Sequence, residues 1–65
     1  MTTAKHRADL DLIETATEVG RDQGISHETY ALLLDGESVL RGEIGGEAAE
    51  EILRDALDAA RRITA

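Results

Sequence analysis

The sequence predicts an all-α fold, in which residues 1–65 form one small three-helix domain. Apolar residues recur at helical spacing, glycine-containing breaks separate three segments, and no proline-rich linker or internal repeat interrupts them. Helices are expected over about 4–22, 27–41 and 47–63. A chain this short buries only about 60% of the surface that its unfolded form exposes. We therefore expect a thin margin of stability, and support from a partner or from self-association.

The first predicted helix, residues 4–22, carries a broad apolar stripe. The stripe consists of Leu10, Leu12, Ile13, Ala16 and Val19, which stand two, three and four positions apart. Thr2 or Thr3 is expected to cap its start, because a threonine oxygen can accept a hydrogen bond from a free N–H of the first turn. Gly20 and Gly24 bracket its end, since glycine adopts the left-handed conformation that closes helices.

The second predicted helix covers residues 27–41. Ser26 stands at the cap position, and Ile25 can pack on Tyr30 as a hydrophobic staple. Gly36 is the weak point of the segment, because glycine costs about 1 kcal/mol relative to alanine in a helix interior. The residues expected to be buried are Tyr30, Leu33, Leu34 and Leu40, and Gly42 is expected to end the helix.

A β-hairpin over residues 29–44 is the alternative structure for this second segment. Asp35-Gly36 is a preferred residue pair for the type I′ turn of a hairpin. Three consecutive leucines precede that pair, however, and they do not alternate with polar residues as a strand requires. Few residues of either arm favour strands. The helix is therefore the preferred prediction.

The third predicted helix, residues 47–63, follows the glycine pair at 45–46. Its apolar face consists of Ala49, Ile52, Leu53, Ala56, Ala60 and Ile63. Acidic residues occupy its first turns and arginines its last, as the helix dipole favours. Two i,i+4 pairs of opposite charge give further support, namely Glu50 with Arg54 and Asp58 with Arg62.

The charge of the chain predicts a protein partner with a basic surface. Fourteen acidic and seven basic residues give a net charge of −7. This charge opposes direct binding to nucleic acid and to anionic membranes, but it attracts a basic protein cleft. There is no cysteine, no apolar stretch that suits a signal peptide, and no apolar run near 18 residues, so a cytoplasmic location is expected.

No set of residues predicts catalysis, a cofactor or a metal site. His6 and His27 each lack a second histidine or cysteine three or four positions away, which is the spacing of metal ligands on a helix. Carboxylate pairs such as Glu14 with Glu18 are expected on a solvated helix face, since so short a chain offers no sheltered cleft. The glycines of 42–46 lack the Lys-Ser/Thr of a phosphate loop. The chain is therefore not expected to be an enzyme.

Candidate partner-binding residues combine exposed acids with apolar helix positions. Tyr30 is the only aromatic residue of the chain, and it suits either a core position or an interface hot spot. The candidates are Glu14, Glu18, Tyr30, Leu33, Leu40, Ile52 and Leu57.

The C-terminal part of the chain has a resemblance to known antitoxins. From Val39 it reads VLRGEI, followed by a loop and an acidic amphipathic helix. Residues 39–63 resemble the C-terminal half of the small, helical antitoxins of the VbhA and FicA kind, which neutralise Fic toxins. In that family, a Ser/Thr-x-x-x-Glu-Gly/Asn motif supplies a glutamate that pairs with a toxin arginine and blocks the site of the ATP γ-phosphate. No glutamate here follows a Ser or Thr by four positions, Glu18 in Glu-Val-Gly being nearest, so no residue role carries over.

Together these features predict a small acidic protein-binding inhibitor, similar to an antitoxin, that neutralises a partner by docking its helices on it. Two alternatives remain open. The first is a helical homo-oligomer or adaptor whose self-association completes a thin core. The second is an acidic mimic of nucleic acid, which would occupy the cleft of a DNA-binding protein.

Overall fold

Three α-helices, joined by short turns, make up the fold. The computed structural model describes residues 3–65, in which α1 spans Ala4–Gln23, α2 spans His27–Leu40 and α3 spans Glu47–Thr64. The prediction of an all-α three-helix domain is confirmed, and every helix boundary agrees with the predicted one to within one residue. Each helix packs against both of the others, so all three share one core.

The alternative hairpin is wrong, because Asp35 and Gly36 continue α2 without a turn. Gly36 is buried where the three helices meet. A β carbon built on this glycine would lie 2.5 Å from Ala56 Cβ of α3 and 3.1 Å from Ile13 Cδ1 of α1. Gly36 is therefore more than the weak point predicted for α2, because the missing side chain permits the close approach of both neighbouring helices.

Side-chain caps begin the first two helices. The hydroxyl oxygen of Thr3 accepts a hydrogen bond from the His6 N–H at 3.1 Å, and that of Ser26 accepts one from the Thr29 N–H at 3.2 Å. The predictions for Thr3 and Ser26 are confirmed, while the alternative cap Thr2 lies outside the described residues. These bonds satisfy N–H groups that have no partner within the helix.

Left-handed glycines end the first two helices, as predicted. Gly24 has φ of 75° and Gly42 has φ of 80°. At both ends, the N–H groups of the glycine and of the next residue donate to carbonyls of the last helical turn, which is the Schellman arrangement. After α1, the residue that follows the glycine is Ile25, and its side chain packs over Gly20. This contact packs the turn between α1 and α2 against α1.

All three helices contribute side chains to the core, and the fully buried ones of α3 are the alanines Ala56 and Ala60. Ile13 and Leu33 are its largest fully buried side chains. The cluster consists of Ile13, Ala16, Leu33, Ala56, Leu57 and Ala60, and it is surrounded by half-buried Leu12, Ile25, Leu32, Leu40, Leu53, Ala59 and Ile63. The alanines of α3 leave room for α1 and α2 to pack closely against it.

Leu34 departs from the predicted burial, since 39% of its surface is exposed. The inward face of α2 contains Leu33, Gly36 and Glu37, which stand at helical spacings of three and four. Leu34 is rotated by about 100° from Leu33 on the helix, and it therefore points away from the core. Tyr30 and Leu40 are half-buried.

The ion pairs on α3 differ from the i,i+4 pairs that the sequence suggested. Arg54 Nε lies 3.8 Å from Asp55 Oδ1, and Arg61 Nη1 lies 3.5 Å from Asp58 Oδ1. All four side chains are exposed, and ion pairs at such positions contribute little free energy. The helix nevertheless has its predicted bounds to within one residue, because its apolar face and its end charges favour it whichever carboxylate each arginine contacts.

Candidate protein-binding groove

An open groove runs between α1 and α2 on the molecular surface. Its volume is about 680 Å³. The residues that line it are Asp11, Glu14, Thr15, Thr17 and Glu18 of α1, with Leu34 and Glu37 of α2. No residue of α3 lines it, so it lies on the side of the α1–α2 pair that α3 leaves uncovered. We refer to these seven residues as the acidic groove.

Helical spacing places three carboxylates of α1 along one wall of the groove. Asp11, Glu14 and Glu18 stand three and four positions apart, and residues at these spacings are neighbours on a helix surface. All three are exposed. Asp11 and Glu18 are separated by about 10 Å along the helix axis, because each residue adds about 1.5 Å.

The opposite wall, formed by α2, contributes one apolar and one acidic side chain. Leu34 is the exposed large hydrophobic residue of the part of the chain that the structure describes. Glu37 is 9% exposed and occupies an inward position one turn further along α2. The acidic groove thus combines four carboxylates with one exposed apolar side chain.

Arg41 links the two walls of the groove, because it contacts one carboxylate of each wall. Its Nη1 lies 3.5 Å from Glu37 Oε2, and its Nη2 lies 3.9 Å from Glu14 Oε2. Asp11 and Glu18 have no ion pair with any residue within 3–65. One guanidinium therefore faces four carboxylates, and the groove keeps a net negative charge.

The structure brings together only two of the predicted partner-binding residues, Glu14 and Glu18, which both line the groove. Leu33 is fully buried and Leu57 is 8% exposed, so both belong to the core. Leu40 is half-buried against that core. A surface contact from Leu33 or Leu57 would require the domain to open.

The remaining two predicted residues lie outside the groove. Ile52 is half-buried on α3. Tyr30 is half-buried and lines a smaller cavity of about 250 Å³ together with Arg21, Ile25 and His27. Tyr30 and Ile25 thus line the same cavity at the start of α2, which agrees with the predicted staple.

Five residues of the groove were not among the predicted partner-binding residues, namely Asp11, Thr15, Thr17, Leu34 and Glu37. Asp11 could have been found, because it precedes Glu14 by three positions and Glu18 by seven, which places it on their face. Leu34 and Glu37 carry no such signal. Their roles follow from the rotation of α2 about its own axis, and that rotation depends on packing against α1 and α3.

Within residues 3–65, no group of three or more His, Asp or Glu side chains is arranged to hold a metal ion. No helix in this range combines the length and the apolar character that crossing a membrane requires. No match to this chain was found among protein families, curated proteins or solved structures.

Proposed function

We propose that the protein is a small inhibitor that binds a basic surface of a partner protein and neutralises that partner, in the manner of an antitoxin. The observation that carries the proposal is the acidic groove, which is lined by four carboxylates and by the exposed side chain of Leu34. Complementary charge steers two proteins together, and apolar contact then adds affinity. The proposal also includes a cytoplasmic location, and it excludes nucleic acid as a direct ligand because the chain has a net charge of −7.

Binding suits this groove better than catalysis does. Acid–base catalysis requires carboxylates in a sheltered site that separates their pKa values. The α1 carboxylates of the groove are exposed, and exposed charges recognise opposite charges at long range. The proposed role therefore includes no enzymatic activity.

The proposed inhibitory surface lies outside the part of the chain that resembles Fic antitoxins. That part, residues 39–63, comprises the end of α2, the following turn and nearly all of α3. The groove is formed by residues between 11 and 37. An inhibitory contact made there would differ from the glutamate motif of those antitoxins, in agreement with the absence of that motif.

Co-expression with the product of the adjacent reading frame tests this function. We expect the two proteins to co-purify, and we expect growth that the neighbour arrests to be restored by this protein. The double variant Asp11→Asn with Glu18→Gln should lose both effects. The matched variant Glu50→Gln with Glu51→Gln removes the same charge from α3, outside the groove, and should retain them.

Two results would count against this function. Absence of any complex, together with absence of protection, would reject the inhibitor role. Equal loss of binding in the two double variants would mean that binding depends on the total charge of the protein and not on the groove.

A further inference from the structure

The acidic groove has the form of a site for one further helix. α1 and α2 pack against each other, and α3 packs against both, while the groove side of the pair remains open. Asp11 and Glu18 are separated by two turns of α1, or about 10 Å. A helix laid in the groove would have the same rise per residue, so its positions i and i+7 would match these two carboxylates.

We infer that the groove binds one amphipathic helix of the partner, with cationic side chains seven positions apart and a large apolar side chain between them. The cations would contact Asp11 and Glu18, and the apolar side chain would pack on Leu34. This inference rests on the proposed function and adds the structural element that docks. A helix that places its apolar face in a groove is a common mode of peptide recognition.

The charge distribution within the groove supports a cationic occupant. Arg41 already contacts Glu37 of α2 and Glu14, which stands between Asp11 and Glu18 on α1, so two of the carboxylates share a guanidinium. Asp11 and Glu18 form no ion pair with any residue among 3–65. The positions that remain for a partner's cations are therefore the two that stand seven residues apart.

A second copy of this chain is a poorer occupant than a basic helix. Its α3 does carry arginines at the required spacing, Arg54 and Arg61. Each of them, however, has an aspartate beside it, at 3.8 Å for Arg54 and 3.5 Å for Arg61. Two copies would also bring together two chains that each have a net charge of −7, and this repulsion opposes the contact.

Two synthetic peptides of identical composition test the inference. Each is alanine-rich, labelled with a fluorophore, and about 16 residues long, which corresponds to about 24 Å of helix. The aligned peptide carries arginines at i and i+7 with leucine at i+4. The offset peptide has the second arginine at i+9, which moves it to the opposite side of the helix. By fluorescence anisotropy, we expect the aligned peptide to bind about tenfold more tightly.

Protein variants then locate the binding. Asp11→Asn with Glu18→Gln should abolish the preference for the aligned peptide, whereas Glu50→Gln with Glu51→Gln should preserve it. Circular dichroism would establish that both variants are folded. Equal affinities for the two peptides, including no measurable binding of either, would overturn the inference. A dimer of the chain alone that dissociates in the groove variant would overturn it in favour of a second copy.

The inference and the proposed function can fail separately. If a natural partner requires Asp11 and Glu18 but the two peptides bind equally, the inhibitor function stands and the inference of a helical occupant is rejected. Failure to capture a partner or to protect growth would reject the inhibitor whatever the peptides do.

Discussion

At the scale of single residues, Gly36 is the position where substitution should matter most. Alanine would improve the helix propensity of α2 by about 1 kcal/mol. Its β carbon, however, would lie 2.5 Å from Ala56 Cβ, and overpacking of this kind costs about 1–3 kcal/mol or more. Because the obstacle is a β carbon next to the α3 backbone, no rotamer change can relieve it. We expect Gly36→Ala to lower the free energy of unfolding by up to about 2 kcal/mol, the larger cost less the gain in propensity, as measured by urea titration.

Two other glycines provide controls for that substitution. A β carbon at Gly20 would meet Ile25 Cδ1 at 2.7 Å, the far end of a flexible side chain that can move, so Gly20→Ala should cost less than Gly36→Ala. Gly45 has no atom within 4 Å of such a carbon, and Gly45→Ala should be neutral or slightly stabilising. Similar effects of all three substitutions would contradict the close approach at Gly36.

At the scale of elements, the cap of α2 is the feature with the clearest energetic role. Ser26 accepts a hydrogen bond from the Thr29 N–H, and replacing such a cap by alanine costs about 1 kcal/mol. We expect Ser26→Ala to lower the free energy of unfolding by about that amount, whereas Ser26→Asp, which keeps an acceptor, should cost little. Both values come from urea titration followed by circular dichroism.

Ser38 supplies the matched control for the cap. It lies near the other end of α2, and its side chain makes no hydrogen bond within the described residues. Ser38→Ala should therefore leave stability nearly unchanged or raise it slightly, since alanine favours helices. A loss at Ser38 as large as that at Ser26 would argue against a specific capping role.

At the scale of the whole molecule, the net charge of −7 should make stability depend on salt. Like charges repel within a compact domain. Raising the ionic strength from about 10 mM to about 150 mM shortens the screening length from about 30 Å to about 8 Å. We expect the melting temperature to rise by about 4–8 °C, the shift that about 1 kcal/mol produces in a domain of this size. Circular dichroism during heating measures it.

A charge-reduced variant tests the cause of that salt effect. Asp22 and Asp35 are exposed, and neither forms an ion pair within residues 3–65. Asp22→Asn with Asp35→Asn should raise the melting temperature at low salt and flatten its dependence on salt. A melting temperature that falls as salt is added would mean that attractive ion pairs outweigh the repulsion.

Much of the fold could be predicted from local signals, and the candidate site only in part. Helix bounds follow from apolar spacing and glycine breaks. Ser26 marks the start of α2, because a serine oxygen can accept a hydrogen bond from a free N–H of the first helical turn. Glu14 and Glu18 could be placed on one helix face from their spacing alone. The burial of Leu33 and the exposure of Leu34 could not be separated in this way, because two adjacent apolar residues of a helix satisfy the same local pattern.

The amino-acid sequence by itself determined three helices, their ends and their caps, because these depend on hydrogen bonds and side chains within a few positions of each other. Only the tertiary structure decided that Gly36 lies where the three helices meet, that Glu37 points inward, and that α1 and α2 leave an acidic groove open. The physical reason is that burial is a relation between elements. Helical spacing defines which residues share a face, but the packing of all three helices decides which faces are covered.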